Sequence, residues 1–108
     1  MKRDFLYAYS NHTKYIPIIQ NFFSGQPVKR AYLFGSCSRG EETPDSDIDL
    51  LVSYDYSKKI SLFKIGAMIA SLQDMLHRPV DLVEEDGLMD FAKPSVEKDK
   101  ILIYERAK

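Results

Sequence analysis

A chain of 108 residues, of which 44% are apolar and 29% charged, is long enough to fold around one hydrophobic core, so we expect a single domain over residues 1–108. Its 15 Lys and Arg residues against 16 Asp and Glu residues leave a net charge of −1, which argues against direct nucleic-acid binding or membrane attachment as the main activity. The single cysteine, Cys37, excludes an intrachain disulfide. Because the sequence shows no targeting signal and no run of about 20 apolar residues, we expect a cytoplasmic protein.

The first half of the chain predicts a helix and two strands. A helix over about Asn11–Phe23 is indicated by apolar residues at helical spacing, namely Tyr15, Ile18, Ile19, Phe22 and Phe23. Because proline is tolerated in the first turn of a helix but not in its interior, Pro17 places the start near Ile16. Short runs of β-forming residues predict strands over Val28–Phe34 and Ile48–Tyr54, with a polar turn at 40–46 between them.

The second half predicts a longer helix and two further strands. Ser57 or Ser61 can cap a helix that reaches Leu76 or His77, with an apolar stripe formed by Leu62, Ile65, Ile69, Leu72, Met75 and Leu76. Strands are expected over Val80–Val83 and Ile101–Tyr104, separated by a polar break at 84–87 and a short helix or loop over Leu88–Lys93. The order α-β-β-α-β-(α)-β indicates an α/β fold in which helices pack against a mixed sheet.

Two carboxylates, Asp47 and Asp49, stand two positions apart at the start of the second strand. Side chains two apart on a strand point the same way, roughly 6–7 Å apart at the backbone. Such neighbours disfavour each other's ionisation, and a divalent cation removes that conflict. Magnesium prefers carboxylate and phosphate oxygens, so both residues are candidate metal ligands. The alternative is a solvated strand face ahead of a turn.

The first strand ends at Gly35-Ser36, which has the features of a phosphate-binding turn. Glycine lets a phosphate approach the backbone closely, and the turn N–H groups and the Ser36 hydroxyl are possible donors. Together with the two carboxylates, this turn predicts a site for a metal-bound triphosphate. The spacing of Gly35 and Gly40 also fits the opening of a P-loop, but Glu41-Glu42 stand where that motif requires Lys and Ser or Thr.

Gly35-Ser36, ten intervening residues and Asp47-x-Asp49 resemble the signature of the nucleotidyltransferases of the DNA polymerase β superfamily. Two longer motifs are present, Gly35-Ser36-x-x-Arg39-Gly40 and Ser46-Asp47-Ile48-Asp49-Leu50. Together they resemble the smallest branch of that superfamily, the minimal nucleotidyltransferases. Cys37 departs from the pattern of this branch, which often has an aromatic residue there. We expect the departure to affect packing more than chemistry.

The resemblance implies a set of catalytic roles. It requires a third carboxylate on a neighbouring strand, and Asp81 has the matching context, although an exposed strand residue would look the same. The three aspartates would bind two Mg²⁺ ions, Asp81 would help to remove the proton of the acceptor hydroxyl, and Gly35 and Ser36 would hold the β- and γ-phosphates of ATP. Arg39 would either contact a phosphate or hold the loop through a nearby carboxylate.

The resemblance also implies an acceptor and a partner. Minimal nucleotidyltransferases typically pair with a small helical HEPN protein, often a toxic ribonuclease, and act as antitoxins by transferring AMP from ATP to a tyrosine of that partner. We therefore expect a HEPN-type toxin as partner and a nucleoside triphosphate as substrate, while homo-oligomer formation stays open. Two alternatives are a non-catalytic module that neutralises a partner by contact and a stand-alone transferase that acts on a small molecule.

Several residues outside the motif have open roles. Tyr54 and Tyr56 follow the strand that carries the carboxylates and are candidates for stacking on a nucleotide base. Lys58, Lys59 and Lys64 are candidates for attracting polyphosphate, although a solvated helix face is the commoner meaning of such residues.

Overall fold

A computed structural model of the chain describes residues 15–35, 47–88, 90–91 and 93–106. The elements in chain order are α1 (Tyr15–Phe23), β1 (Val28–Phe34), β2 (Ile48–Tyr54), α2 (Leu62–Leu76), β3 (Val80–Glu84), a 3-10 turn (Glu85–Gly87), α3 (Lys93–Asp99) and β4 (Ile101–Glu105). This order confirms the predicted succession of helices and strands. The turn expected at 40–46 lies outside the described residues.

The four strands form one mixed sheet in the order β3-β2-β1-β4. β1 pairs antiparallel with both β2 and β4, whereas β2 and β3 run parallel. A parallel pair needs a crossover connection, and here α2 supplies it. The predicted α/β fold with helices on a mixed sheet is therefore confirmed.

The core lies between one face of the sheet and helices α1 and α2. β2 contributes Ile48, Leu50 and Val52, alternate residues whose side chains point to the same face of the sheet. They pack with buried residues of the other elements, chiefly Ile19, Phe23, Val28, Ala31, Leu33, Met68, Leu72 and Leu76. Because successive strand residues face opposite sides, Asp49 points away from this core.

Helix α1 begins at Tyr15, so Pro17 is its third residue and falls in the first turn, as its sequence requires. Ile19 and Phe23 are buried, and the Ser24 amide donates to the Gln20 carbonyl at 3.1 Å where the helix ends. Ile18 was expected on the apolar face, but it is exposed.

Helix α2 is capped as the sequence predicted. The Ser61 hydroxyl accepts from the Lys64 amide at 3.1 Å, and His77 ends the helix with a left-handed φ of 57°. Its predicted apolar stripe is partly wrong, because Leu62 is 85% and Met75 41% exposed. The buried line consists of residues four apart, Met68, Leu72 and Leu76, and the two exposed residues lie to either side of it.

The segment between β3 and β4 was expected to hold a short helix or loop over Leu88–Lys93. Its described residues 90 and 91 form a turn, and the helix that follows, α3, was not predicted: it begins at Lys93 and extends to Asp99. Val96 is its one buried residue, so α3 carries no apolar period that a sequence pattern would reveal. Within the described ranges, no helix has both the length and the apolar character needed to cross a membrane.

Candidate active site

Three strand ends meet at one edge of the sheet. β1 runs towards this edge and stops at Phe34, whereas β2 and β3 start from it. In the strand register, Asp49 is the partner of Phe34 on one side and of Asp81 on the other. Adjacent strands lie about 4.8 Å apart, so this register brings the end of β1 and two of the predicted catalytic carboxylates together.

Asp49 and Asp81 share one face of the sheet. Register partners on neighbouring strands point the same way, and the residues flanking Asp49, Ile48 and Leu50, are buried on the opposite face. Asp49 is half-buried and Asp81 is exposed. Asp47 immediately precedes β2 and is exposed. The carboxylates therefore lie at an open rim of the sheet, where a soluble ligand can reach them.

The electrostatics of this rim centre on Asp49. Burial, then the negative charge of Asp81, then that of Asp47 raise the pKa of Asp49 above its usual value of 3.8. Within the part of the chain that the structure describes, neither the Asp49 nor the Asp81 side chain has a hydrogen-bond or ion-pair partner. An ionised carboxylate that is desolvated, repelled by its neighbours and unpaired is a group that a bound cation would stabilise.

Gly35 lies directly against Asp49. It has a φ of +76°, and a Cβ atom added at this position would stand 2.5 Å from Oδ2 of Asp49. Both the left-handed conformation and the missing side chain are therefore required here. The sequence marked Gly35 as a phosphate contact, but it gave no sign that this glycine makes room for the Asp49 carboxylate, because that contact depends on the pairing of β1 with β2.

The other half of the predicted phosphate turn falls on Ser36 and Arg39, which lie outside the described residues, as does Cys37. The predicted base-stacking role of Tyr54 is wrong: its side chain is only 2% exposed, and burial together with nearby Glu84 raises its pKa to about 12. Tyr56 is 57% exposed and meets the Tyr54 ring edge-on, with ring centroids 6.2 Å apart. A stacking role for Tyr56 stays a prediction.

The donor chemistry at this rim suits a hard cation, because carboxylate oxygens are the ligands that Mg²⁺ prefers. The absent side chain of Gly35 leaves room for one of these carboxylates, that of Asp49. However, among the described residues no group of three or more His, Cys, Asp or Glu side chains forms a cluster that could hold a metal ion. The structure therefore brings Asp49 and Asp81 together without assembling a complete metal-binding triad.

Comparison with known proteins agrees with this arrangement. The nucleotidyltransferase domain family matches residues 13–103. A candidate protein adenylyltransferase of Methanocaldococcus jannaschii, MJ0126, is 40% identical over 77 residues, which are 70% of this chain and 76% of that protein.

Two solved structures resemble the chain. The structure of a candidate minimal nucleotidyltransferase has a TM-score of 0.72 at 27% identity, covering 86% of this chain and 93% of that one. A complex of a tri-AMPylated HEPN toxin from Shewanella oneidensis with an MNT antitoxin gives a TM-score of 0.65 at 19% identity, covering 86% and 71%, and shows a shared fold. Because the family matches most of its length, this chain belongs to the nucleotidyltransferase domain family, and its predicted identity as a nucleotidyltransferase of the minimal type is confirmed.

Proposed function

We propose that this protein transfers AMP from ATP to a hydroxyl group of a partner protein, with Asp47, Asp49 and Asp81 as its catalytic carboxylates. The observation that carries the proposal is the register of β2 and β3, which pairs Asp49 with Asp81 beside the backbone of Gly35. The raised pKa of Asp49 adds support, because it marks a carboxylate that the rest of the fold leaves uncompensated.

The three aspartates would hold two Mg²⁺ ions, which when bound neutralise the carboxylates and polarise the triphosphate. Asp49 is the best-fixed of the three, because Gly35 and the buried residues on either side of it determine its position. The backbone of Gly35, with the Ser36 hydroxyl, would donate hydrogen bonds to the β- and γ-phosphates. Arg39 is proposed as a further phosphate ligand from the same turn.

Asp81 would accept the proton of the acceptor hydroxyl, since its exposed position on β3 lies on the open side of the rim. The acceptor oxygen forms a bond to the α-phosphorus, and the bond from that phosphorus to the departing pyrophosphate breaks. The protein contributes chiefly position and charge, as in other phosphoryl-transfer reactions.

For the acceptor, we propose a tyrosine hydroxyl of a HEPN-type toxin, which the transfer would neutralise. Two relatives support this choice. The Methanocaldococcus protein is named for protein adenylylation, and the Shewanella complex contains a HEPN toxin that carries AMP groups together with an MNT antitoxin.

Mass spectrometry of a HEPN-type protein co-expressed with this chain tests the proposal. We expect the added mass of AMP on the partner, its loss with Asp49→Asn, and its retention with Asp74→Asn, an exposed aspartate of α2. If Asp47→Asn with Asp49→Asn leaves the partner unlabelled yet fully neutralised, contact alone is sufficient and the antitoxin role does not depend on transfer.

A further inference from the structure

A second polar cleft lies at the opposite end of the sheet from the carboxylates. It has a volume of about 470 Å³ and is lined by residues 24–27 together with four cationic residues, Lys58, Lys59, Lys64 and Arg106. Among the residues that the structure describes, no acidic one lines it. Four positive side chains around one cleft are a marked local excess in a protein whose net charge is −1.

The cleft is well separated from Asp49. Its walls come from the turn before β1, the segment after β2 and the residue after β4. Between Asp49 and the far end of β2 at Tyr54, five steps along the strand span roughly 16 Å. A ligand in this cleft therefore does not depend on the carboxylates or on any metal that they bind.

The backbone around the lysines is held by local hydrogen bonds. The Lys58 amide donates to the Asp55 carbonyl at 3.1 Å, and the Lys64 amide donates to the Ser61 hydroxyl at 3.1 Å. The Pro27 carbonyl accepts a hydrogen bond from the Asp55 amide at 2.8 Å. This bond joins the turn before β1 to the segment after β2. The cleft is thus built on the ends of regular elements.

The four cationic groups differ in whether a carboxylate of the described residues pairs with them. Arg106 is paired with Asp55, with 2.8 Å between Nη2 and Oδ2. By contrast, within the described part of the chain, no carboxylate lies within ion-pair distance of the ammonium groups of Lys58, Lys59 or Lys64. Three uncompensated charges therefore surround the cleft, while Arg106 is held in its wall.

We propose that this cleft is a metal-independent binding site for a free phosphate chain, that of a nucleotide or of an inorganic polyphosphate. Lysine ammonium groups are flexible point charges that suit phosphate oxygens. A phosphate chain concentrates its charge in a small volume, whereas an acidic peptide carries at most one side-chain charge every ~3.3–3.6 Å of extended chain. A cleft with three ammonium groups that no described carboxylate pairs with fits the denser anion.

Isothermal titration calorimetry with inorganic tripolyphosphate, in EDTA and at low salt, tests the proposal. We expect binding to the wild type that weakens by more than about tenfold in the Lys58→Gln, Lys59→Gln, Lys64→Gln triple variant and as salt is raised. The matched control is Lys98→Gln, an exposed lysine of α3, which should change the affinity by less than about twofold. Equal melting temperatures of the variants would show that the substitutions leave the fold intact.

Two further titrations under the same conditions distinguish a free phosphate chain from a nucleic-acid backbone. We expect ATP to bind and a single-stranded oligonucleotide to bind more weakly than tripolyphosphate. The proposal is overturned if the wild type does not bind tripolyphosphate, if the oligonucleotide binds as tightly as tripolyphosphate, or if the triple variant binds tripolyphosphate as well as the wild type. It is also overturned if a polyglutamate peptide binds as tightly as tripolyphosphate.

Discussion

The two ends of strand β2 each carry an aspartate, and the fold treats them in opposite ways. At the start of the strand, burial and the negative charges of Asp81 and Asp47 raise the pKa of Asp49. Just past its end, Asp55 accepts hydrogen bonds from the amide and hydroxyl of Ser57, at 3.0 and 2.7 Å, and pairs with Arg106 at 2.8 Å. These contacts lower the pKa of Asp55 to about 2.

Asp55 is therefore a carboxylate that stabilises the fold, whereas Asp49 is a carboxylate that a bound ligand would stabilise. Asp55 has its partners within the chain and ties the end of β2 to the residue after β4. Asp49 has like charges for neighbours and lies against Gly35, where any other residue would be strained. Local violations of stabilising rules of this kind concentrate at functional sites.

The largest expected effect is the difference in the rate of AMP transfer between two variants, one without the Asp49 charge and one without the Asp55 charge. Asp49→Asn should lower the rate of AMP transfer by about 10²–10³-fold or more, because it removes an electrostatic contact to the reacting groups. Asp55→Asn should leave the rate nearly unchanged, since Asp55 lies at the far end of β2. Labelling of the partner with radioactive ATP gives both rates, and similar losses in the two variants would remove the functional distinction between the aspartates.

Two glycine-to-alanine substitutions test the contact between Gly35 and the Asp49 carboxylate. Gly35→Ala should destabilise the protein by about 1–2 kcal/mol through its left-handed backbone alone, and it should also slow transfer because the new methyl group displaces the Asp49 carboxylate. Gly66→Ala is the matched control: it lies within α2 with nothing within 4 Å of the added methyl group, and it should stabilise by about 0.5–1 kcal/mol. Chemical denaturation checks the signs, and a Gly35→Ala protein of wild-type stability and activity would contradict the account.

Removing the Asp49 charge should stabilise the metal-free protein. Because folding raises the pKa of Asp49, its ionisation destabilises the native state, and this penalty appears as the pH rises from about 3.8 through the higher pKa of the folded protein. Asp49→Asn should therefore melt above the wild type at neutral pH in EDTA. The difference should vanish in acid, and a variant that melts lower at every pH would show that Asp49 supports the fold.

Asp55 should produce the opposite pH dependence. Its pKa is lowered from 3.8 to about 2, so its stabilising effect is complete above pH 3.8 and is lost as the pH falls through 2. The free energy of unfolding of Asp55→Asn should therefore change less across this acidic range than that of the wild type. Urea titrations from pH 5 to about 2 measure it, and parallel curves would mean that the contacts with Ser57 and Arg106 add nothing.

The sequence predicted the elements whose signals are local. The strands Val28–Phe34 and Ile48–Tyr54 have the bounds expected from their β-forming residues, and the Ser61 cap follows from its position before an apolar helix. The exposure of Leu62 and Met75 could not be predicted, because several faces of α2 are apolar and the packing of the sheet decides which one is buried.

The motif and the family resemblance named the three carboxylates but not their arrangement in space. Asp47 and Asp49 follow from the motif, whereas the pairing of Asp49 with Asp81 depends on a parallel register between segments joined by a whole helix. Lys58, Lys59 and Lys64 were singled out from the sequence as candidates for attracting polyphosphate, but the cleft itself could not be predicted, since only the folded sheet brings together its walls near residues 25, 60 and 106.

The most direct test of the account is the part of the ATP-induced rise in melting temperature that depends on Mg²⁺, measured in the wild type and in Asp49→Asn. A ligand at about 100 times its dissociation constant adds roughly 2.7 kcal/mol of stability, or on the order of 10 °C for a protein of this size. If the carboxylate rim binds a metal–nucleotide complex, Mg²⁺ with ATP should raise the melting temperature of the wild type by about this much more than ATP in EDTA does, and the extra rise should disappear in Asp49→Asn. Equal rises with and without Mg²⁺ in the wild type, or an undiminished extra rise in the variant, would contradict it.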